Sequence, residues 1–421
     1  PKAGSTNPRI RVAVVNVQGG GKKFIKIDSE ADVYYPWFEW YDNEKLWIMR
    51  LERLQKQWQM IYADIISSKT MSGIREADRG GWVELHETSQ ILSNGLFAHI
   101  SERDGYQHIY LERPNGRFTV PVTSGQWEVK QIVHVDEKNE IIYFTSNKRS
   151  VLENHLYSVR FDGTSMKILT PEPGFHRITM SPSGHSFIDS YSSIDQPPVI
   201  VYRKNDGTLV RKLGDTDLST FDLNNISKPA IVRFLADDSE TVLNGIVTLP
   251  QDYEKGKKYP LLVYGYGMPG TQIVWNRWQA GFQQFLAKEG YIVFSMDSRG
   301  MSGRGRDFKN LSYGDMANYL AKDQATGVRW LIDKGYVDKD KIGAWGWSGG
   351  GYFTCLMLTK NADLFSVGVA VAPVTDFRLY DTAYTERYLG LPQDNQSGYD
   401  STSTMTYVDR LRGKLMLMHG T

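Results

Sequence analysis

Residues 346–350 read Gly346-Trp347-Ser348-Gly349-Gly350, a serine set among glycines in the order G-x-S-x-G. The order carries chemistry when a strand precedes it and a helix follows. The chain must then reverse within a few residues, and the serine hydroxyl is held clear of both elements. Both neighbours are legible. Residues 342–345 form a short apolar run expected as a buried strand, and 352–359 (Tyr-Phe-Thr-Cys-Leu-Met-Leu-Thr) are expected to open a buried helix. Glycines are needed because a Cβ there would strike the crowded strand and helix. Ser348 is therefore the candidate nucleophile.

A serine hydroxyl is a weak nucleophile at neutral pH. It needs a base, usually histidine, a carboxylate to orient that base, and donors for the oxyanion. In chains with this turn the order is serine, acid, histidine. After Ser348 only His419 remains, directly on an expected strand end, which makes it a poor base. The backbone amide of Gly349 is one oxyanion donor by position. The second is expected from the loop Tyr264-Gly265-Tyr266-Gly267-Met268-Pro269-Gly270. Either a tyrosine hydroxyl supplies it, or Tyr264 and Tyr266 simply end a strand.

The elements that must position these residues fall in two halves. From about 226 onward, apolar runs at 261–266, 291–296, 342–345, 367–372 and 414–418 alternate with helical stretches near 275–288, 317–334 and 352–360. An antiparallel entry pair at 231–234 and 243–249 precedes them. Runs apolar on both faces with helical crossovers predict a parallel sheet covered on both sides, with Ser348 at the carboxyl end of a central strand. Residues 1–225 read instead as short strands and turns. His108-Ile109-Tyr110-Leu111 leads to Asn115-Gly116, His155-Leu156-Tyr157 to Asp162-Gly163, and Val199-Ile200-Val201-Tyr202 to Asp206-Gly207. Asx-Gly is a strong hairpin signal, and modules of ~40–50 residues with four strands each are those of propeller blades. About four blades are expected. A generic β-sandwich would lack this regular spacing. Seven of the eight histidines lie in this half without metal-ligand spacing, and most are expected at the surface or in turns. No metal or cofactor is expected.

With 421 residues the chain is too long for one ordinary core, so at least two domains are expected. A net charge of +1 gives no reason to expect nucleic acid or an anionic membrane as partner. No apolar run is long enough for a transmembrane helix. Cys355 is the only cysteine, so an intrachain disulfide is excluded.

Several segments together resemble the dipeptidyl peptidase IV group of the prolyl oligopeptidase family. They are Gly346-Trp347-Ser348 with its following glycine pair and Tyr352, Tyr259-Pro260-Leu261-Leu262, Asp297-Ser298-Arg299-Gly300 and Ala372-Pro373-Val374. Further ones are the run from Tyr380-Asp381-Thr382-Ala383-Tyr384 to Leu391-Pro392, Leu417-Met418-His419-Gly420-Thr421, and Pro1-Lys2-Ala3-Gly4. The resemblance implies a β-propeller (residues 1–225, partial) joined to an α/β-hydrolase domain (226–421, partial). It implies a serine exopeptidase that removes dipeptides from peptides with a free N-terminus, preferring proline or alanine second. Carried over by motif, Ser348 is the nucleophile, Tyr266 the oxyanion donor beside the Gly349 amide, and Trp347, Val374, Tyr380 and Tyr384 line the proline pocket. The i, i+4 spacing of Tyr380 and Tyr384 also fits one buried helix face. A periplasmic or extracellular location and a homodimer through the hydrolase domain are implied as well, and the lack of disulfides suits a bacterial source.

Three positions depart from the family pattern. Gly349 stands where a tyrosine is usual, which predicts a looser turn and a pocket lacking that side chain. Gly267-Met268 replaces a small residue followed by glycine, and Phe377 replaces a larger aromatic. The resemblance also implies a catalytic Asp two residues beyond His-Gly-Thr, a His further on, and amine-binding glutamates upstream of Pro1, all outside these residues. The chain is thus expected to be a middle fragment, nearly inactive by itself. Other readings are a different peptidase of the same family, an acylaminoacyl peptidase or endopeptidase, or an inactive propeller–hydrolase protein that binds peptides.

Overall fold

A computed structural model describes residues 1–27, 32–113, 115–116, 118–217, 219, 227–279 and 281–420. Its first half holds four four-stranded antiparallel sheets in succession. They are Val33–Trp40, Lys45–Glu52, Gln57–Asp64 and Thr70–Ala77; Gln90–Ile91, Phe97–Ser101, His108–Glu112 and Thr119–Pro121; Val129–Asp136, Ile141–Ser146, His155–Arg160 and Lys167–Ile168; and Phe175–Met180, Ser186–Ser192, Val199–Lys204 and Leu209–Asp215. In each sheet the strands pair in chain order, as blades do. A two-stranded ribbon, Ala13–Val14 with Lys23–Phe24, precedes them.

The repeated Asx-Gly turns link third to fourth strands, with Gly116, Gly163 and Gly207 at φ 69°, 81° and 90°. In the first sheet the same corner is 65–69, where Ser68 takes the positive φ (59°) without glycine, so the repeat is silent there. In the first three sheets the middle strands are largely buried on both faces, because neighbouring sheets pack face to face. Trp47 of the first sheet is wholly buried and stacks on Phe97 of the second at 5.5 Å.

The expected exposure of the histidines is overturned. His99, His108, His155 and His176 are all buried. Each has partners that offset its desolvation. His99 Nε2 lies 3.0 Å from Glu112, His155 Nε2 3.0 Å from Glu153, and His176 Nδ1 2.9 Å from Asp189, while His108 bonds Thr123 and Gly125 O. They belong to the propeller's internal polar network.

The second half is one seven-stranded sheet. Its strands are β1 (Pro229–Leu235), β2 (Val242–Thr248), β3 (Tyr259–Tyr264), β4 (Ile292–Met296), β5 (Val337–Trp347), β6 (Val367–Val371) and β7 (Lys414–Met418), in the order β1-β2-β4-β3-β5-β6-β7. The first two pair antiparallel, β2 meets β4 antiparallel, and every later pairing is parallel. Helices α1 (Phe282–Lys288), α2 (Arg306–Asn310), α3 (Asn318–Asp333), α4 (Gly349–Lys360), α5 (Thr382–Leu389) and α6 (Gln396–Thr402) complete it. The first helix is shorter than its apolar pattern predicts. Residues 275–279 are tied to the propeller instead: Asn276 N donates to Leu152 O (2.8 Å), its Nδ2 to Glu153 (2.7 Å), and its Oδ1 accepts from Ile194 N (2.9 Å). The boundary expected between 225 and 226 falls outside the described residues, as does Thr421. Among the described residues no helix is long and apolar enough to cross a membrane.

Candidate active site

Ser348 sits between the end of β5 and the start of α4, at φ 57° and ψ −114°. A side chain in this region is strained by about 1–3 kcal/mol and persists only where its surroundings over-determine it. They do so here. Ser348 N donates to Val371 O on the neighbouring strand (2.9 Å), and Ser348 O accepts from Tyr352 N (3.0 Å). A Cβ on Gly346 would lie 2.6 Å from Gly350 Cα, and one on Gly350 2.6 Å from Gly265 O. Behind the turn α4 is buried almost throughout, and its Tyr352 hydroxyl donates to Thr402 O at 3.0 Å. The amide of Gly349 is among the first N–H groups of α4, which have no partner inside the helix and carry the positive end of its dipole. Cys355 on the same helix is an inert thiol, its pKa pushed up to about 11 by burial.

The two tyrosines of the next loop have separate fates. Tyr264 ends β3 and packs against Trp345 with ring centroids 4.8 Å apart. Tyr266 runs on past the strand and lies over the turn: a Cβ placed on Gly349 would be 3.1 Å from Tyr266 Cζ. The same Cβ would be 2.3 Å from Met268 Cγ. The turn is therefore not loosened by Gly349, contrary to expectation, because Met268, 2% exposed, fills the space above it. Downstream, Asp297 anchors the loop, its Oδ1 accepting from Ile273 N at 2.8 Å and its Oδ2 from Val274 N at 3.2 Å. Burial pushes the Asp297 carboxyl up to about 7.

Beyond β6 the chain turns at Ala372 (φ 46°), whose N–H donates to Met418 O at 2.7 Å. Val374 packs against the hydrolase core, and Phe377, 3% exposed, is part of that core. Tyr380 is extended (φ −93°, ψ 175°) and half-exposed, while Tyr384 lies inside α5, whose first turn Asp381 caps by accepting from Tyr384 N at 2.8 Å. The two do not share one buried helix face. Their rings meet edge to face at 5.6 Å and 88°, and the series continues to Phe377 and Tyr388. Burial raises the Tyr384 phenol well above its ordinary range, so it stays neutral. Trp347, the last residue of β5, is 67% exposed beside Ser348 and joins no ring pair among the described residues. His419 is exposed and its Nδ1 lies 3.1 Å from Gly420 O.

A cavity of about 550 Å³ lies elsewhere, between the fourth propeller sheet and the hydrolase sheet, with Arg177, Arg277 and Tyr264 in its wall. Three contributions to the site had no signal in local spacing: Met268 over Gly349, Asp297 under the loop, and Glu386 of α5, which Arg53 of the first blade holds.

Four blades followed by a mostly parallel sheet with a serine on its strand-to-helix turn define a β-propeller joined to an α/β-hydrolase fold. The model of the dipeptidyl peptidase IV (DPP IV) N-terminal region matches residues 1–198, and that of the prolyl oligopeptidase family matches 278–421. The chain belongs to the dipeptidyl peptidase IV group of the prolyl oligopeptidase family. It is 30% identical to dipeptidyl peptidase 4 of Trichophyton equinum and 29% identical to that of Arthroderma otae, with 100% of this chain and 57% of each relative covered. The crystal structure of Porphyromonas gingivalis dipeptidyl peptidase 4 superimposes with a TM-score of 0.94 at 29% identity, covering 100% of this chain and 60% of that one. The chain thus spans a little over half of the length of the curated relatives it matches.

Proposed function

We propose that this chain carries the nucleophile and pocket of a serine exopeptidase that releases dipeptides from peptides with a free N-terminus, proline or alanine being the favoured second residue. The observation that supports this most is the strained Ser348, followed directly by the helix-start amide of Gly349, over which the Tyr266 ring lies. Ser348 Oγ attacks the carbonyl carbon of the second residue while a base takes its proton; the base passes that proton to the nitrogen of the third residue as the C–N bond breaks, and water then hydrolyses the acyl-enzyme to free the dipeptide. The Gly349 amide and the Tyr266 hydroxyl receive the oxyanion. His419, exposed and turned to its own backbone, is not assigned the part of the base. A pyrrolidine ring suits a flat slot walled by the edge-to-face pair Tyr380 and Tyr384, with Val374 and Trp347 at its margin. The family resemblance favours a site of action outside the cytoplasm and a homodimeric whole protein.

The test uses the whole protein from which these residues come. It should hydrolyse a Gly-Pro chromogenic substrate, and a fluorophosphonate should label Ser348. Ser348→Ala is expected to lower kcat by about 10⁴–10⁶-fold and to abolish labelling. Labelling without dipeptide release would favour another peptidase of the family. Turnover retained by Ser348→Ala would remove the serine mechanism altogether.

A further inference from the structure

We infer that Arg53, in the corner between the second and third strands of the first blade, is a positioning residue for the hydrolase pocket, acting through the buried carboxylate of Glu386. The inference rests on the pocket assigned above to Tyr380 and Tyr384. Glu386 lies on α5 two residues after Tyr384 and is wholly buried. A carboxylate there is stable only if paired and hydrogen-bonded. Its partners come from the propeller half. Arg53 Nε donates to Oε2 at 2.6 Å, Arg53 Nη2 to Oε1 at 2.8 Å, and the Gly4 amide to Oε1 at 2.7 Å. The two-pronged geometry fixes direction as well as distance. The guanidinium is itself held, by Asp32 at 2.6 Å and Ser5 O at 2.7 Å.

The backbone ahead of Glu386 is fastened to the same region. Lys2 and Asp381 form an antiparallel bridge, Ala3 N donates to Tyr380 O at 2.9 Å, and Thr382 N donates to Pro1 O at 3.1 Å. Gln55 Nε2 reaches Ala383 O at 2.5 Å. The stretch that carries both pocket tyrosines therefore sits between a strand-like contact at 380–382 and an ion pair at 386, and both anchors are made across the halves of the molecule. The elbow is built differently. Ser348 is fixed by Val371 and by α4, both inside the hydrolase half. The blade thus sets the placement of the slot while the nucleophile keeps its own support. Because a misplacement of about 1 Å can cost ~10²-fold in rate, an anchor of this kind bears directly on which second residue is accepted.

The test compares the whole enzyme with Arg53→Met, Arg53→Lys and the double variant Arg53→Met/Glu386→Met. The double variant leaves no unpaired buried charge and so guards against simple unfolding. Arg53→Met and the double variant should raise KM for the Gly-Pro substrate at least tenfold, and narrow the preference for proline over alanine. The rate of fluorophosphonate labelling at Ser348 should stay within twofold. Arg53→Lys should recover part of the KM, because one ammonium cannot make both bonds. Hydrogen exchange gives a readout that needs no activity: amides 380–389 should exchange at least tenfold faster in Arg53→Met, with 349–360 unchanged. Unchanged KM and exchange would overturn the inference, as would labelling that falls in step with KM in the double variant. A wild-type enzyme that labels but releases no dipeptide refutes the functional reading, and exchange then still decides whether Arg53 holds α5.

Discussion

A methyl group on Gly349 would stand 2.3 Å from Met268 Cγ and 3.1 Å from Tyr266 Cζ. Glycine is required at this position by what covers it, since α4 begins there with ordinary helical backbone. Met268 is unbranched and buried, so its thioether can fill a gap that a branched side chain would not fit. The pair predicts a reciprocal effect. Gly349→Ala should push Met268 and Tyr266 off the turn and lower kcat/KM by about 10²-fold, the scale of losing one oxyanion donor. Met268→Ala in the same chain should return at least tenfold of that loss, because the space for the new methyl then exists. Steady-state kinetics of the two single variants and the double variant of the whole enzyme check this, and strictly additive losses would refute it. Both residues could be seen as unusual in the sequence. Their meeting could not, because it is made by the return of one strand beside another.

At the scale of elements, the parts that follow a simple period were legible: the strand and helix around Ser348, the parallel strands, and the Asx-Gly corners of three blades. The misplaced boundaries have tertiary causes. Residues 275–279 follow a helical pattern but bond the propeller, and Tyr380 precedes α5 because Asp381 starts it. The loop that bears Tyr266 and Met268 depends on such a tertiary contact, the two amides received by Asp297. Its folded-state pKa is raised by burial to about 7, against about 3.9 for an unfolded chain. A raised carboxyl favours the protonated folded form, so this contribution is fully present below about pH 4 and is lost as pH rises through 7. At 1.36 kcal/mol per unit the whole swing is at most about 4 kcal/mol. Asp297→Asn keeps one oxygen at the place of Oδ1, which both amides reach (2.8 Å from Ile273 N and 3.3 Å from Val274 N), and removes the titration. Urea midpoints measured from pH 4 to 8 should therefore fall less steeply in Asp297→Asn than in the parent, and parallel curves would exclude this role.

On the scale of the whole molecule, what the sequence could not display is how far the propeller enters the hydrolase core. Trp82 follows the first blade, yet it is wholly buried in the hydrolase cluster, with its ring 4.8 Å from that of Tyr388. Periodicity reports one element at a time and is blind to such insertion. The contact is held by Lys309 of α2, 4% exposed, whose Nζ lies 2.7 Å from Trp82 O, 4.0 Å above the Trp82 ring and 2.7 Å from Glu102. Asp78 and Glu84 stand at 3.9 and 4.0 Å from the same nitrogen. Three acids thus share one buried cation. Burial, partly opposed by Lys309 and reinforced by Glu84, pushes Glu102 up to about 8. Removing one partner of a buried pair costs about 3–5 kcal/mol, because the other charge is left without compensation. Glu102 can escape that cost by binding a proton, so the loss in Lys309→Met should be smallest near pH 5 and largest above pH 8. Since the lysine joins the two halves, the loss should also uncouple them. Calorimetry of the whole protein at pH 5 and 8.5 should show one transition for the parent at both values. Lys309→Met should show a lowered, split transition at pH 8.5 that draws together at pH 5, and identical scans for the two proteins would rule out this joint as what makes them melt as one.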